Sequence, residues 1–128
     1  MIHQQEFQVI ERGIKMNSIE KMLFEKTISI SNCIANENYE QLIKDGCLIK
    51  FSKDDILFAI ERYGGKVSVI DACKYDGRYD CFNCQNNIYE TELDLIIDNR
   101  VSDLTLICEI KIEKSRVVYA IISDLHVL

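Results

Sequence analysis

The chain has no apolar run approaching the ~20 residues that cross a bilayer, so no membrane partner is expected. It shows no basic start followed by an apolar stretch at MIHQQEFQVIERGIK, so no secretory leader is read and the expected compartment is the cytoplasm. Cations are too few for a nucleic-acid binder: 15 Lys and Arg against 21 Asp and Glu leave a net charge of −6. General nucleic-acid binding needs cations that replace the counterions released from phosphates, so nucleic acid is not an expected partner. There is no internal repeat, no low-complexity tract and no Ser or Cys nucleophile pattern.

What is present is an ordinary globular composition, with 48% hydrophobic and 28% charged residues over 128 positions. That length suits a single domain over residues 1–128. Residues 1–16 read as a weak helix or an arm, since Phe7, Ile10 and Ile14 have helical spacing but Gly13 interrupts them.

Residues 17–64 form the helical part. Asn17 with Glu20 three residues on is a capping box, and Ile19, Met22, Leu23, Ile30, Cys33 and Ile34 continue a helical stripe to residue 35. Asn36 to Asn38 breaks it. A short helix then turns Tyr39, Leu42 and Ile43 inward and stops at Gly46. Ser52 with Asp55 repeats the cap signature before Ile56, Leu57, Ile60 and Tyr63, and Gly64-Gly65 ends that helix.

Residues 66–128 form the sheet part. The β-branched KVSVID of residues 66–71 predicts a strand, and Asp76-Gly77 predicts a hairpin turn between Lys74-Tyr75 and Arg78-Tyr79. From Ile88 onward, alternation predicts a meander. Tyr89, Thr91, Leu93, Leu95 and Ile97 face one way, and Glu90, Glu92, Asp94 and Asp98 the other. Leu104, Leu106, Cys108, Ile110 and Ile112 repeat the pattern, with turns at residues 99–102 and 114–115. The last strand is apolar on both faces, which predicts a central or covered position. Helices first and a meander after read as α+β, with the N-terminal helices packed on one face of a curved antiparallel sheet of about four to five strands.

NENYEQLIKDG, FSKDDILFAIERYGGKV, SDLTLICEI and the closing ISDLHVL together resemble a bacterial family of small uncharacterised domains. The resemblance rests on Tyr39, Tyr63, Gly64, Ser102 to Leu106 and Asp124 to Leu128. It implies helices on a curved antiparallel sheet and carries no activity. Cys73 to Cys84 lies outside the resembling pattern.

Three chemistries compete with a binding role. Cys81-Phe-Asn-Cys84, with Cys73 eight residues earlier, offers three of the four ligands a structural zinc needs, leaving His3 or His126 for the fourth. Free thiols are the expected state, and no cofactor is expected. Asp124 and His126 share one strand face, where structural anchoring is the expected role. Glu109-Ile-Lys111, preceded by Asp98 and Asp103, resembles a restriction-nuclease-type site in which carboxylates hold magnesium and the lysine assists water. An apolar pocket between helices and sheet is a further alternative.

The leading expectation is a non-enzymatic protein-binding domain, most specifically a bacterial immunity protein neutralising a cognate, basic toxin. Acidic residues suit such a partner. The expected contact residues are Tyr75, Tyr79 and Phe82 as aromatic anchors, with Glu90, Glu92, Asp94, Asp98 and Glu109 as the acidic face.

Overall fold

A computed structural model describes residues 8–9 and 15–128. The expected helical positions Phe7, Ile10 and Ile14 lie outside the described residues. Of that segment, β1 (Gln8–Val9) and β2 (Lys15–Met16) pair as a small antiparallel ribbon.

The helices start where their caps predict. Helix α1 (Ser18–Ala35) opens on Asn17, whose side chain accepts from Glu20 N–H at 2.8 Å while Glu20 answers the Asn17 N–H at 3.2 Å. Its end is a Schellman turn, in which Asn38 N–H reaches Cys33 O and Glu37 N–H reaches Ile34 O, with Glu37 at φ 57. Helix α2 (Tyr39–Lys44) ends the same way on Gly46. It buries Tyr39 and Leu42, but Ile43, expected inside, is 59% exposed. Helix α3 (Lys53–Tyr63) has its Ser52–Asp55 capping box and ends at Gly64. Only Ile56 of α3 is buried; Leu57 and Phe58 face solvent, so α3 packs with far less of its surface than its apolar count suggests.

The sheet has four antiparallel strands in the order β3 (Tyr79–Asn83), β4 (Ile88–Ile97), β5 (Arg100–Glu113) and β6 (Arg116–Val127). Two-residue turns with positive φ join the long strands, Asp98-Asn99 and Lys114-Ser115. Both central positions left-handed is the type I′ geometry that matches strand twist. The first turn thus sits earlier than residues 99–102, and Ser102 belongs to β5. Register shifts between Asp94 and Ile96, Ile107 and Cys108, and Lys111 and Ile112 mark bulges, which bend and twist the strands they interrupt.

One face of the sheet carries α1. Leu93, Leu95, Leu106, Cys108, Ile110 and Ile122 are buried against Leu23, Phe24, Ile30 and Ile34. Thr27 and Thr91 meet across this interface at 2.8 Å, and Thr27 Oγ1 lies 2.7 Å from Leu23 O, so their buried hydroxyls are satisfied.

Two expectations fail for identifiable reasons. Residues 66–71 do not become a strand: Val67 makes one bridge to Ile97, then Asn32 of α1 takes both backbone groups of Ile70, at 2.7 and 3.0 Å. A side-chain amide has replaced the neighbouring strand. Lys74-Tyr75 does not pair with Arg78-Tyr79. Instead Tyr75 is buried and its ring closes over Gly77, where a Cβ would stand 2.4 Å from the Tyr75 hydroxyl oxygen. Of the two placements expected for the doubly apolar β6, central or covered, it takes the second: it is an edge strand with Ala120, Ile121 and Ile122 buried, and residues after α2 lie along it, Ile122 N–H donating to Cys47 O at 2.8 Å.

Candidate functional site

The sheet face opposite α1 carries most of the expected contact residues. Cross-strand register places Phe82 opposite Glu90, Glu90 opposite Glu109, and Glu109 opposite Ile121. The next row runs Asp80, Glu92, Ile107 and Asp124, and beyond it Asp94 stands opposite Thr105. Phe82, Glu90, Glu92, Asp94 and Glu109 therefore share one surface.

Tyr75, Tyr79 and Asp98 do not join them. Tyr75 and Tyr79 are buried against Phe24, the Tyr79 ring edge-on with centroids 4.9 Å apart. As docking anchors they are corrected to core residues: register puts Tyr79 on the α1 side, Tyr75 is buried in the segment before β3, and only Phe82 of the three stays exposed. Asp98 sits in the β4–β5 turn, where its carboxylate accepts the Lys66 N–H at 3.0 Å.

The acidic face is more neutral than its sequence suggests, because cations that the alternation pattern does not reveal reach onto it. Arg78 contacts Asp80 at 2.7 Å, Glu92 at 3.0 Å and Asp94 at 3.4 Å. Thr105 Oγ1 donates to Asp94 at 2.7 Å, and Tyr75 OH reaches the backbone carbonyls of Asp94 and Arg78 at 2.6 and 3.0 Å. Lys50, from the loop after α2, contacts Glu109 at 3.2 Å, and Tyr119 OH donates to the same carboxylate at 2.7 Å. The Tyr119 hydrogen bond, then Lys50, hold Glu109 below the usual carboxylate range. Glu90 goes the other way. Burial first, then Glu92 and Glu109, raise its pKa, and among the described residues no cation pairs with it.

The nuclease-like set does not assemble. Asp103 accepts from Tyr63 OH at 2.7 Å, six residues along β5 from Glu109, which at ~3.3 Å per residue is about 20 Å away. Asp98 lies farther still, in the β4–β5 turn, and Lys111 pairs with Glu113 at 3.4 Å. The three cysteines of the zinc alternative are not brought together either. Cys81 is on the core side of β3, Cys73 and Cys84 are exposed, all three are free, and no set of three metal-ligating side chains gathers among the described residues. His3 lies outside the described residues. Burial raises the thiol pKa of Cys33, Cys47 and Cys81, and pushes that of Cys108 up to about 12, which makes them poor nucleophiles.

A second feature is a cleft of about 460 Å³ where α3 meets the end of β6. Phe51, Phe58, Ala59, Leu104, Leu125 and Val127 form its apolar walls, and Arg62, Tyr63 and His126 border them. The expected pocket between helices and sheet is thus an open cleft at the sheet's edge. His126 Nδ1 lies 2.8 Å from Asp124 Oδ2, and Asp124 Oδ1 accepts the Leu125 N–H at 2.8 Å. Tyr63, the SDLTL strand and the DLHVL end, separate in sequence, meet here. Matching residues 31–128, the family described as a domain of unknown function, DUF7668, covers most of the chain. The chain belongs to this family. No curated protein and no solved structure matches it. The DUF7668 match begins inside the last turns of α1 and takes in α2, α3 and the whole sheet, so both the open face and the cleft fall within it.

Among the described residues no helix is long and apolar enough to cross a membrane.

Proposed function

We propose that this DUF7668 chain is a non-enzymatic protein-binding domain whose uncovered sheet face receives a basic protein. In its finer form the reading is a cytoplasmic bacterial immunity protein that binds and neutralises a cognate toxin domain. One observation carries it. Glu90 stands at the middle of the face between Glu92 and Glu109, its neighbours have cationic partners, and it has none among the described residues. A lysine or arginine from a partner would relieve that repulsion in a partly desolvated position, where a charge-assisted hydrogen bond is worth more than at an open surface. Phe82, opposite Glu90 and 47% exposed, supplies an aromatic contact beside it. The chain's net charge of −6 favours encounter with a basic partner.

The test is to co-express the chain with the product of the gene adjacent to its own, following growth rescue of any toxicity, and to titrate the two purified proteins by calorimetry at low and high salt. Rescue, a 1:1 complex and loss of affinity with Glu90→Lys and Phe82→Ala are expected. Absence of a complex, or one indifferent to both substitutions, rejects the reading.

A further inference from the structure

We propose that the cleft between α3 and the end of β6 is where a second copy of this chain docks, forming a symmetric dimer that leaves the acidic sheet face free. The cleft gathers apolar surface that stays in contact with solvent. Phe58, Tyr63 and Val127 on its walls are 61%, 37% and 48% exposed, and Ile56 is the only buried residue of α3. Contiguous apolar patches of this kind mark contact surfaces. The shape suits a twin. Phe58 stands exposed beside a hollow of about 460 Å³, so the ring of one copy can enter the cleft of the other while its own cleft receives the same ring in return. That reciprocity is what a twofold interface requires.

The charges decide the occupant. The chain carries −6 overall, and the open sheet face presents Glu90, Glu92 and Glu109, so a second copy approaching there meets like charge. The cleft mixes signs instead. Asp55 and Asp124 are both negative, and Arg62 has no carboxylate partner among the described residues. The Arg62 guanidinium lies 5.6 Å from the Phe58 ring centroid. A Phe58 ring entering the neighbouring cleft therefore carries Arg62 to that cleft's rim, where the Asp124 side chain is 45% exposed. By symmetry the contact forms twice, Arg62 of each copy against Asp124 of the other. A purely basic surface would leave Arg62 opposed, and a purely acidic one would oppose Asp55 and Asp124. A surface with both signs beside an exposed aromatic ring matches the cleft, and the cleft itself is such a surface.

Sedimentation equilibrium of the full chain, from micromolar to near-millimolar concentration, tests this. A single monomer–dimer equilibrium is expected with no larger species, because a twofold interface closes on itself. Phe58→Asp, at an exposed position, leaves the urea midpoint of the monomer unchanged and abolishes the dimer. Arg62→Glu and Asp124→Lys each place like charges across both contacts and weaken the dimer by roughly tenfold or more. An equimolar mixture of those two variants restores it, since both contacts then join opposite charges. A chain that stays monomeric at every concentration overturns the proposal. So do assemblies that grow beyond the dimer, a dimer indifferent to Phe58→Asp, or a mixture that fails to restore it. Glu90→Lys and Phe82→Ala lie on the sheet face and leave the dimer intact. Each copy keeps its own acidic face, so one basic partner still binds per chain, and the two readings fail independently.

Discussion

The two faces of the sheet both exclude water, and they do it by different physics. Under α1, Leu93, Leu106, Cys108, Ile110 and Ile122 are fully buried by apolar side chains from another element, and the few polar atoms there are small hydroxyls and thiols. On the opposite face no helix among the described residues lies over Thr105, Ile107 or Ile121, yet they are 1%, 9% and 4% exposed. Their register neighbours are Asp94, Glu92, Asp124 and Glu109; Arg78 contacts Asp94 and Glu92, and Lys50 and Tyr119 contact Glu109. One face is sealed by packing and the other by a charged lattice. The first should be intolerant of lost volume, and the second sensitive to lost charge, salt and pH.

The sharpest break of this contrast is volume. Leu106→Ala under α1 should cost about 2–5 kcal/mol, because the closed interface cannot collapse into the space. Ile107→Ala, the next residue and on the other face, should cost less, since side chains and water can enter from the open side. Urea unfolding of both variants measures the difference; equal losses would mean that the charged face is packed as tightly as the covered one. Tyr75→Phe comes next. It removes the hydroxyl that serves the Asp94 and Arg78 carbonyls where the two systems join, and the buried position makes a loss of about 1–3 kcal/mol the expectation. Arg78→Met tests the lattice directly. Arg78 is 38% exposed, so solvent screening holds the expected loss to about 1 kcal/mol despite its three carboxylate contacts. That loss should shrink in high salt, whereas the Leu106→Ala loss should not.

Local signals were legible and long-range ones were not. Asn17, Ser52 and Gly46 announced their helix ends because capping chemistry is contained within a few residues. The alternation from Ile88 to Ile112 announced β4 and β5 because one face of each is buried under α1. Residues 66–71 misled because their β-branched pattern was met by the Asn32 amide, 38 positions away from Ile70. The aromatic loop misled for a similar reason: Tyr75 and Tyr79 have Phe24 as their partner, and nothing near them in the chain says so. In the candidate sites, the acidic stripe could be read from period two alone. Its neutralisation by Lys50, 59 positions from Glu109, could not, and neither could a cleft built from α3 and the ends of two strands.

The smallest effect separates two carboxylates within the charged face. Glu109 has its pKa lowered by Tyr119 and Lys50, so its contribution to stability is present above the unfolded glutamate pKa of about 4.3 and is lost as pH falls through the lower folded value. Glu90 has its pKa raised by burial, Glu92 and Glu109. Its contribution is full below the unfolded pKa and is lost as pH rises through the folded one, so at neutral pH its charge opposes folding. Glu109→Gln and Glu90→Gln should therefore move stability in opposite directions at pH 7, down and up, each by roughly 0.5 kcal/mol given partial exposure. Acidification through the carboxylate range should erase the Glu90→Gln gain and the Glu109→Gln loss alike. Urea midpoints at pH 7 and pH 3.5 measure both. Two shifts of the same sign at pH 7 would mean that the face acts as one pooled negative charge, and Glu90 would then lose its distinction as the carboxylate awaiting a cation.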